Sequence, residues 1–331
     1  MVRSSWVVFL FAIACSSKST TNTIEKDAGS GGGGGSGGVA GSGGDPCVVS
    51  NPGWPDSATE YCTDGSAQPA ACSALPGQDA SYKENTPGYL ECSGAIRDTV
   101  TGLSWSPVFS GLSQADGMTK CQGLPPGEGP WRLPSLLELV SILDLGSKAP
   151  AASNLFGIAA QSQLYSSTAA ANGGAWVVSF EFGFVKPSVN AASPLDVICV
   201  RGAPLVSALT ATGTVVDDSG TGLSWQATPA ANTFDWPSAI ATCEGATTGN
   251  HDDWRLPNIK ELITLVKTDA TSGAMIDTAK FSGIGGADAF WSSTPYRDAA
   301  FSSAWALHLA VGNSVRDGVE LERRALCVRT L

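Results

Sequence analysis

Trp131-Arg-Leu-Pro-Ser-Leu-Leu-Glu-Leu139 occurs again, slightly altered, as Trp254-Arg-Leu-Pro-Asn-Ile-Lys-Glu-Leu262. Each copy places an N-cap residue (Ser135, Asn258) three positions before a Glu (Glu138, Glu261), the spacing of a capping box. A Pro stands just before each cap, which suits an extended entry into a helix. Leu136, Leu139, Val140 and Leu143 follow at helical spacing, as do Ile259, Leu262, Ile263 and Val266. The stretch therefore predicts two equivalent short helices. It makes Glu138 and Glu261 caps rather than general acids, and gives Arg132 and Arg255 a buried carboxylate or a backbone carbonyl to pair with.

The repetition extends outward in both directions. Asp98-Thr-Val-Thr-Gly-Leu-Ser-Trp105 matches Asp217-Asp-Ser-Gly-Thr-Gly-Leu-Ser-Trp225 with one residue inserted. Tyr165-Ser-Ser-Thr168 matches Trp291-Ser-Ser-Thr294, Trp176 matches Trp305, and Cys199-Val-Arg201 matches Cys327-Val-Arg329. The chain is thus a duplication, with copies of about 125 residues, a normal domain size, at 80–203 and 204–331. Gly102 and Gly222 read as turn glycines between two short strands. Asp218-Ser-Gly220 looks like an aspartic-protease signature, but the first copy has no counterpart, so no catalytic dyad exists. Trp176, Val178, Phe180 and Phe182 alternate along one strand face, as do Trp305, Leu307, Leu309 and Val311. His308 then faces away from that row. His251, beside Asp252 and Asp253, lacks zinc-ligand spacing and reads as part of a solvated loop.

The N-terminus has an export layout. Arg3 precedes the apolar run Trp6–Ala14, which is far shorter than the roughly 20 residues of a spanning helix and suits a signal peptide over residues 1–14. Small residues lead into Cys15, as at a bacterial lipobox, so Cys15 is expected to carry lipid and to tie the chain to the membrane at the outer membrane or cell surface. Residues 15–45 form a Gly/Ser-rich tether with a typical reach of roughly 30 Å. The chain has nine Cys, and with Cys15 acylated the rest suffice for disulfides in an oxidising compartment. Cys121 and Cys243 lie on predicted helices near 113–121 and 236–243. They are expected to pair within each copy with Cys199 and Cys327. Cys47, Cys62 and Cys72, in a Cys-rich segment over 46–79, together with Cys92, allow three connectivities, among which the sequence does not choose. The net charge of −11 argues against nucleic acid as a partner.

The ordered motifs, recurring twice, resemble the Lcl C-terminal domain family, the C-terminal domain of a bacterial collagen-like adhesin. The resemblance covers nearly all of both copies. It implies an α+β fold of two tandem C-type-lectin-like domains, each disulfide-stapled with a small twisted antiparallel sheet and two helices. It also implies surface exposure and, from the adhesin, binding of sulfated glycans and trimerisation. The first copy departs from the family pattern at Tyr165 and Pro130, and no collagen tract is present. An acidic chain matches sulfated polyanions poorly; Arg316, Arg323, Arg324 and Arg329 cluster, but Glu320 and Glu322 intervene.

The shared Trp-containing motifs are expected to be framework, which leaves a ligand site to the loops that differ between copies. There Tyr296, Arg297 and Asp298 offer an aromatic plane, a fork donor and an acceptor. Together with His308 they form the candidate ligand-binding set. The expected function is adhesin-like binding of a surface glycan or protein without catalysis. The alternative is an envelope scaffold with no small ligand; a lesser one is formylglycine-generating-enzyme-like activity, which needs reactive cysteines. No cofactor and no metal site is expected from a motif; calcium, which related lectin folds bind, stays open, although their sugar-site motifs are missing here.

Overall fold

The computed structural model describes residues 47–331 except 50, 51, 67, 68 and 189. The expected signal peptide over residues 1–14, Cys15 and the expected tether over 15–45 lie outside the described residues. No described helix is long and apolar enough to cross a membrane.

The first copy contains β1 (Tyr89–Cys92), β2 (Ala95–Asp98), β3 (Ser104–Leu112), α1 (Gln114–Gln122), α2 (Leu136–Ser141), β4 (Gln163–Ala169), β5 (Ala175–Ser179), β6 (Phe184–Ser188) and β7 (Leu195–Arg201). Its strands form one sheet in the order β1-β2-β3-β7-β4-β5-β6. The second copy contains β8 (Leu209–Thr212), β9 (Val215–Asp218), β10 (Leu223–Gln226), β11 (Thr233–Phe234), α3 (Trp236–Glu244), α4 (Ile259–Thr264), β12 (Ala289–Tyr296), β13 (Ser303–His308), β14 (Asn313–Gly318), β15 (Arg323–Arg324) and β16 (Val328–Thr330). The equivalent of β7 is broken here into β15 and β16. The sheet splits accordingly into β16-β10-β9-β8 and β11-β15-β12-β13-β14. The fold is α+β with two α-helices per copy, but the sheet is neither small nor wholly antiparallel: β4 pairs parallel with β7, and β12 with β15.

Each repeated motif has a bonding role, and the roles interlock. The Ser135 and Asn258 side chains accept from the Glu138 and Glu261 amides, and each Glu carboxylate accepts from the cap amide in return. Thr168 and Thr294, closing the Ser-Ser-Thr motifs, accept through Oγ1 from the first helical amides, Leu136 N at 2.9 Å and Ile259 N at 3.0 Å. Ser166 and Ser292 donate to the Trp176 and Trp305 carbonyls at 2.9 and 2.8 Å. The backbones of Arg132 and Val200 exchange two hydrogen bonds, and Arg255 and Val328 do the same. Gly102 and Gly222 sit at φ +71° and +75°, where a Cβ would be strained. Buried polar backbone is thus satisfied by the same few side chains in both copies.

The copies pack into one body. A central core joins Trp105, Leu139, Trp176 and Phe180 of the first to Trp225, Leu262, Trp305 and Leu307 of the second. The opposite strand faces build smaller cores: Cys121, Trp131, Tyr165 and Cys199 in the first copy, Trp236, Cys243, Trp254, Trp291 and Cys327 in the second. β5 and β13 are therefore covered on both faces. The alternating row stays buried to Phe180 and Leu309, but Phe182 is half-buried and Val311 is 48% exposed at a turn. Disulfides Cys121–Cys199 and Cys243–Cys327 close within the copies, at sequence separations of 78 and 84. The open quartet is joined as Cys47–Cys92 and Cys62–Cys72.

Residues 52–66 and 69–88 form a strap that leads into β1. It bonds to the first copy through Gly53, Ser57 and Gly88 and also reaches the second. Tyr61 Oη donates to Pro295 O at 3.1 Å, Thr63 Oγ1 to Phe301 O at 2.6 Å and Thr330 Oγ1 to Glu84 at 2.7 Å, while Thr294 Oγ1 donates to Asp79.

Candidate functional site

The two Trp-Arg-Leu-Pro arginines answer to the two caps. Arg132 reaches Glu138 with two bonds of 2.6 Å, and Arg255 reaches Glu261 at 2.6 and 2.7 Å, fork to fork. Both pairs lock the entry of a helix, which is a framework role. They differ in cover: the Arg132 side chain is 33% exposed, whereas that of Arg255 is 8% exposed beneath the Tyr82 ring of the strap.

The strap carries two buried carboxyls of its own, Asp56 and Asp79, against the second copy. Burial pushes the Asp56 carboxyl up to about 7, helped by the nearby Asp79. Burial likewise raises Asp79 to about 6, against the hydrogen bonds from Ser57 and Thr294. The hollow there is about 40 Å³, room for little more than water. Lys260, fully buried, donates to Asp56 O at 2.7 Å, Ser141 O at 2.8 Å and Leu143 O at 3.1 Å. Burial pushes its ammonium down to about 8, opposed by Asp56, Asp98, Asp144 and Asp79.

The candidate ligand set is dispersed and partly withdrawn from solvent. Tyr296 is 8% exposed; its ring packs edge-on to Trp305, and the Arg316 guanidinium covers it at 5.1 Å. It is not the exposed aromatic plane that the loop comparison predicts, because the loop is pinned by the strap and by the first copy. Arg297 donates to Gly146 O at 3.1 Å and lies over the Tyr61 ring. Asp298 accepts from Ala300 N and Ser303 Oγ, closing its own loop. His308 stands at the far end of the β12–β13 ladder, paired with Ala289 while Tyr296 pairs with Ser303. Its Nε2 lies 3.0 Å from Asp317, which Arg323 also holds at 2.7 Å. Burial works against the Asp317 charge, yet His308 and Arg323 keep its carboxyl below the usual range. His308 therefore belongs to an ion-pair cluster apart from the Tyr296 loop. Arg329 pairs with Asp253, and Arg324 with Asp288, so the basic cluster is mostly neutralised. Among the described residues no three His, Cys, Asp or Glu side chains converge as metal ligands would.

A groove of about 840 Å³ does open where the copies meet. β6 and β14, each the last strand of its sheet, face one another there, with Val185 N donating to Ser314 Oγ at 2.8 Å. Phe182 and Phe184 form part of its wall with Tyr296, while Lys148, Lys186, Arg297 and Arg316 face Glu181 and Asp298. Four cations against two carboxylates make a positive furrow on a chain of net charge −11. Lys186 is exposed and forms no ion pair among the described residues. No motif or spacing in the sequence marks Phe182, Phe184, Lys186 or Arg316 as site residues. One signal was present: Phe182 and Phe184 stand where the second copy has Val311 and Asn313.

The Lcl C-terminal domain family matches the chain twice, over residues 94–201 and 214–329. The protein belongs to this family, as a tandem of two copies. No curated protein matches it.

Proposed function

We propose that the protein is an exported, lipid-anchored surface module that holds a ligand noncovalently in the groove between its copies. The observation that carries this reading is the excess of cations beside Phe182 and Phe184 in an otherwise acidic chain. Aromatic faces beside charged hydrogen-bond donors suit an anionic ligand, whether glycan or protein. Lipid on Cys15 and the 15–45 tether would present the groove at the outer membrane or cell surface, and the C-type-lectin-like fold implied by the family suits such presentation.

The reading is non-enzymatic and needs no cofactor. The eight cysteines among the described residues are all in disulfides, which leaves no thiol for formylglycine-type chemistry there. The carboxyls displaced furthest, Asp56 and Asp79, adjoin a hollow too small for a substrate. The burial of Tyr296 favours a second reading, an envelope scaffold without a small ligand.

Full-length protein applied to an array of acidic and neutral glycans and peptides, with and without calcium, separates these. We expect acidic probes to be retained over neutral ones. The Lys186→Glu, Arg316→Glu variant, confirmed as folded by circular dichroism, should lose them. Retention that survives the charge reversal removes the groove as the site. No retention of any probe leaves the scaffold.

A further inference from the structure

The groove is bounded at one end. Arg297 lines both it and a neighbouring hollow of about 400 Å³, and so stands between the two. Its guanidinium donates to Gly146 O at 3.1 Å, and Lys148 Nζ donates to Arg297 O at 3.3 Å. A long chain running through the groove would meet this cross-link, whereas a chain that ends in the groove would not. The volume of about 840 Å³ lies in the range of roughly 300–1,000 Å³ that holds a compact ligand.

Its charges suit one anionic group. Lys186 on β6 and Arg316 on β14 are exposed and form no ion pair among the described residues. Asp298 turns its carboxylate into its own loop, accepting from Ala300 N, Ser302 N and Ser303 Oγ. Glu181 stands in the wall and would repel a second negative charge on the ligand.

Its aromatic wall suits an apolar side chain better than a sugar. Phe184 is boxed in by Phe182, Trp305 and Tyr296, with ring centroids at 6.2, 4.9 and 6.3 Å. The Arg316 guanidinium covers Tyr296 at 5.1 Å. A sugar ring stacks on an open, flat aromatic face, and these two rings are taken up by their neighbours. Sugar hydroxyls turned against half-buried Phe182 would lose their hydrogen bonds to water without replacement. A branched or aromatic side chain packs there without that cost.

Resting on the groove being the ligand site, we propose that its occupant is the carboxyl-terminal end of a partner polypeptide whose last residue is apolar. The Arg316 fork and the Lys186 ammonium hold the terminal carboxylate. The last side chain packs against Phe182 and Phe184. The chain leaves on the side away from Arg297, so recognition is confined to the final few residues.

The test is fluorescence anisotropy of full-length protein with short N-terminally labelled peptides ending in Phe or Leu, each as the free acid and as the amide. Sulfated and carboxylated oligosaccharides are offered to the same protein in parallel. The free acids should bind, and the amides about tenfold or more weakly. A similar loss is expected when the last residue is Ser. It is also expected in Arg316→Gln and separately in Phe182→Ser, each confirmed as folded by circular dichroism. Amides that bind as well as acids, or free acids indifferent to either substitution, overturn the proposal. Oligosaccharide binding that is abolished in Lys186→Glu, Arg316→Glu, without binding of free-acid peptides, also overturns it while leaving the groove as the ligand site. Binding of neither probe removes both.

Discussion

The Lys260 ammonium of the second copy donates to the Ser141 carbonyl of the first at 2.8 Å, at the last residue of α2. The end of one repeated helix is thus capped by the beginning of the other. The same ammonium holds Leu143 O and, in the strap, Asp56 O. A cation at a helix C-terminus also opposes the dipole there favourably. One side chain joins three parts of the chain.

Replacing Lys260 by Leu, the type found at the equivalent position 137, leaves three buried carbonyls without this donor. The expected cost is about 2–4 kcal/mol, from the desolvation penalty of unsatisfied buried groups. Urea unfolding of the full chain measures it. A variant within experimental error of the wild type would show that water replaces the ammonium without loss.

Stability should fall as pH rises from about 4 through 6 to 7. The folded-state carboxyls of Asp79 and Asp56 are raised above their ordinary value of 3.8. The folded state therefore binds more protons than the unfolded chain in that window, and the stability they lend at low pH is lost as they ionise. Asp79→Asn should flatten the decline. An equal slope in wild type and variant, read from denaturation midpoints at pH 4.5 and 7.5 at about fixed ionic strength, would place the titration elsewhere.

The two arginine–glutamate pairs should differ in worth despite equal geometry. Arg255→Ala strands the buried Glu261 carboxylate and is expected to cost about 3–5 kcal/mol. Arg132 is a third exposed, so water can partly solvate Glu138 after Arg132→Ala, and about half that cost or less is expected. Equal losses in paired unfolding curves would mean that the strap's cover over Arg255 has no energetic effect.

The disulfides should rank by the chain they enclose. Removing Cys243–Cys327 by double Ala substitution is expected to cost about 4–5 kcal/mol, and removing Cys62–Cys72 about 3 kcal/mol, from loop-closure entropy. The sequence separations are 84 and 10. Guanidinium unfolding under oxidising conditions checks the order; a reversed order would be evidence against the loop-entropy account.

The framework was legible because it is local or repeated. Ser135 with Glu138, and Asn258 with Glu261, announce helices within four residues of chain. Duplication then separates framework from loop. What the sequence withheld is non-local. Lys260 interrupts an apolar run and occupies the outward position of an isolated helix, so periodicity assigns it to solvent; the packing of α2, α4 and the strap together buries it. Tyr296 ends β12 where the loop that differs between copies begins, and the strap packed against Pro295 covers that end rather than leaving a free recognition surface. Phe184 and Arg316 line one groove from separate copies, which no spacing rule can join.

The strap also sets a schedule. Synthesis runs from the N-terminus, so Tyr61, Thr63 and Asp79 are made long before Pro295, Phe301 and Thr294, the groups that receive them. Contacts so distant along the chain close late, because the loop entropy must be met first. The earliest described segment to leave the ribosome is therefore among the last to settle. A chain cut after its first repeat would keep Cys47–Cys92 within reach but leave Tyr61, Thr63 and Asp79 without the groups they bond. The second repeat is, in this sense, the template on which the beginning of the protein is finished.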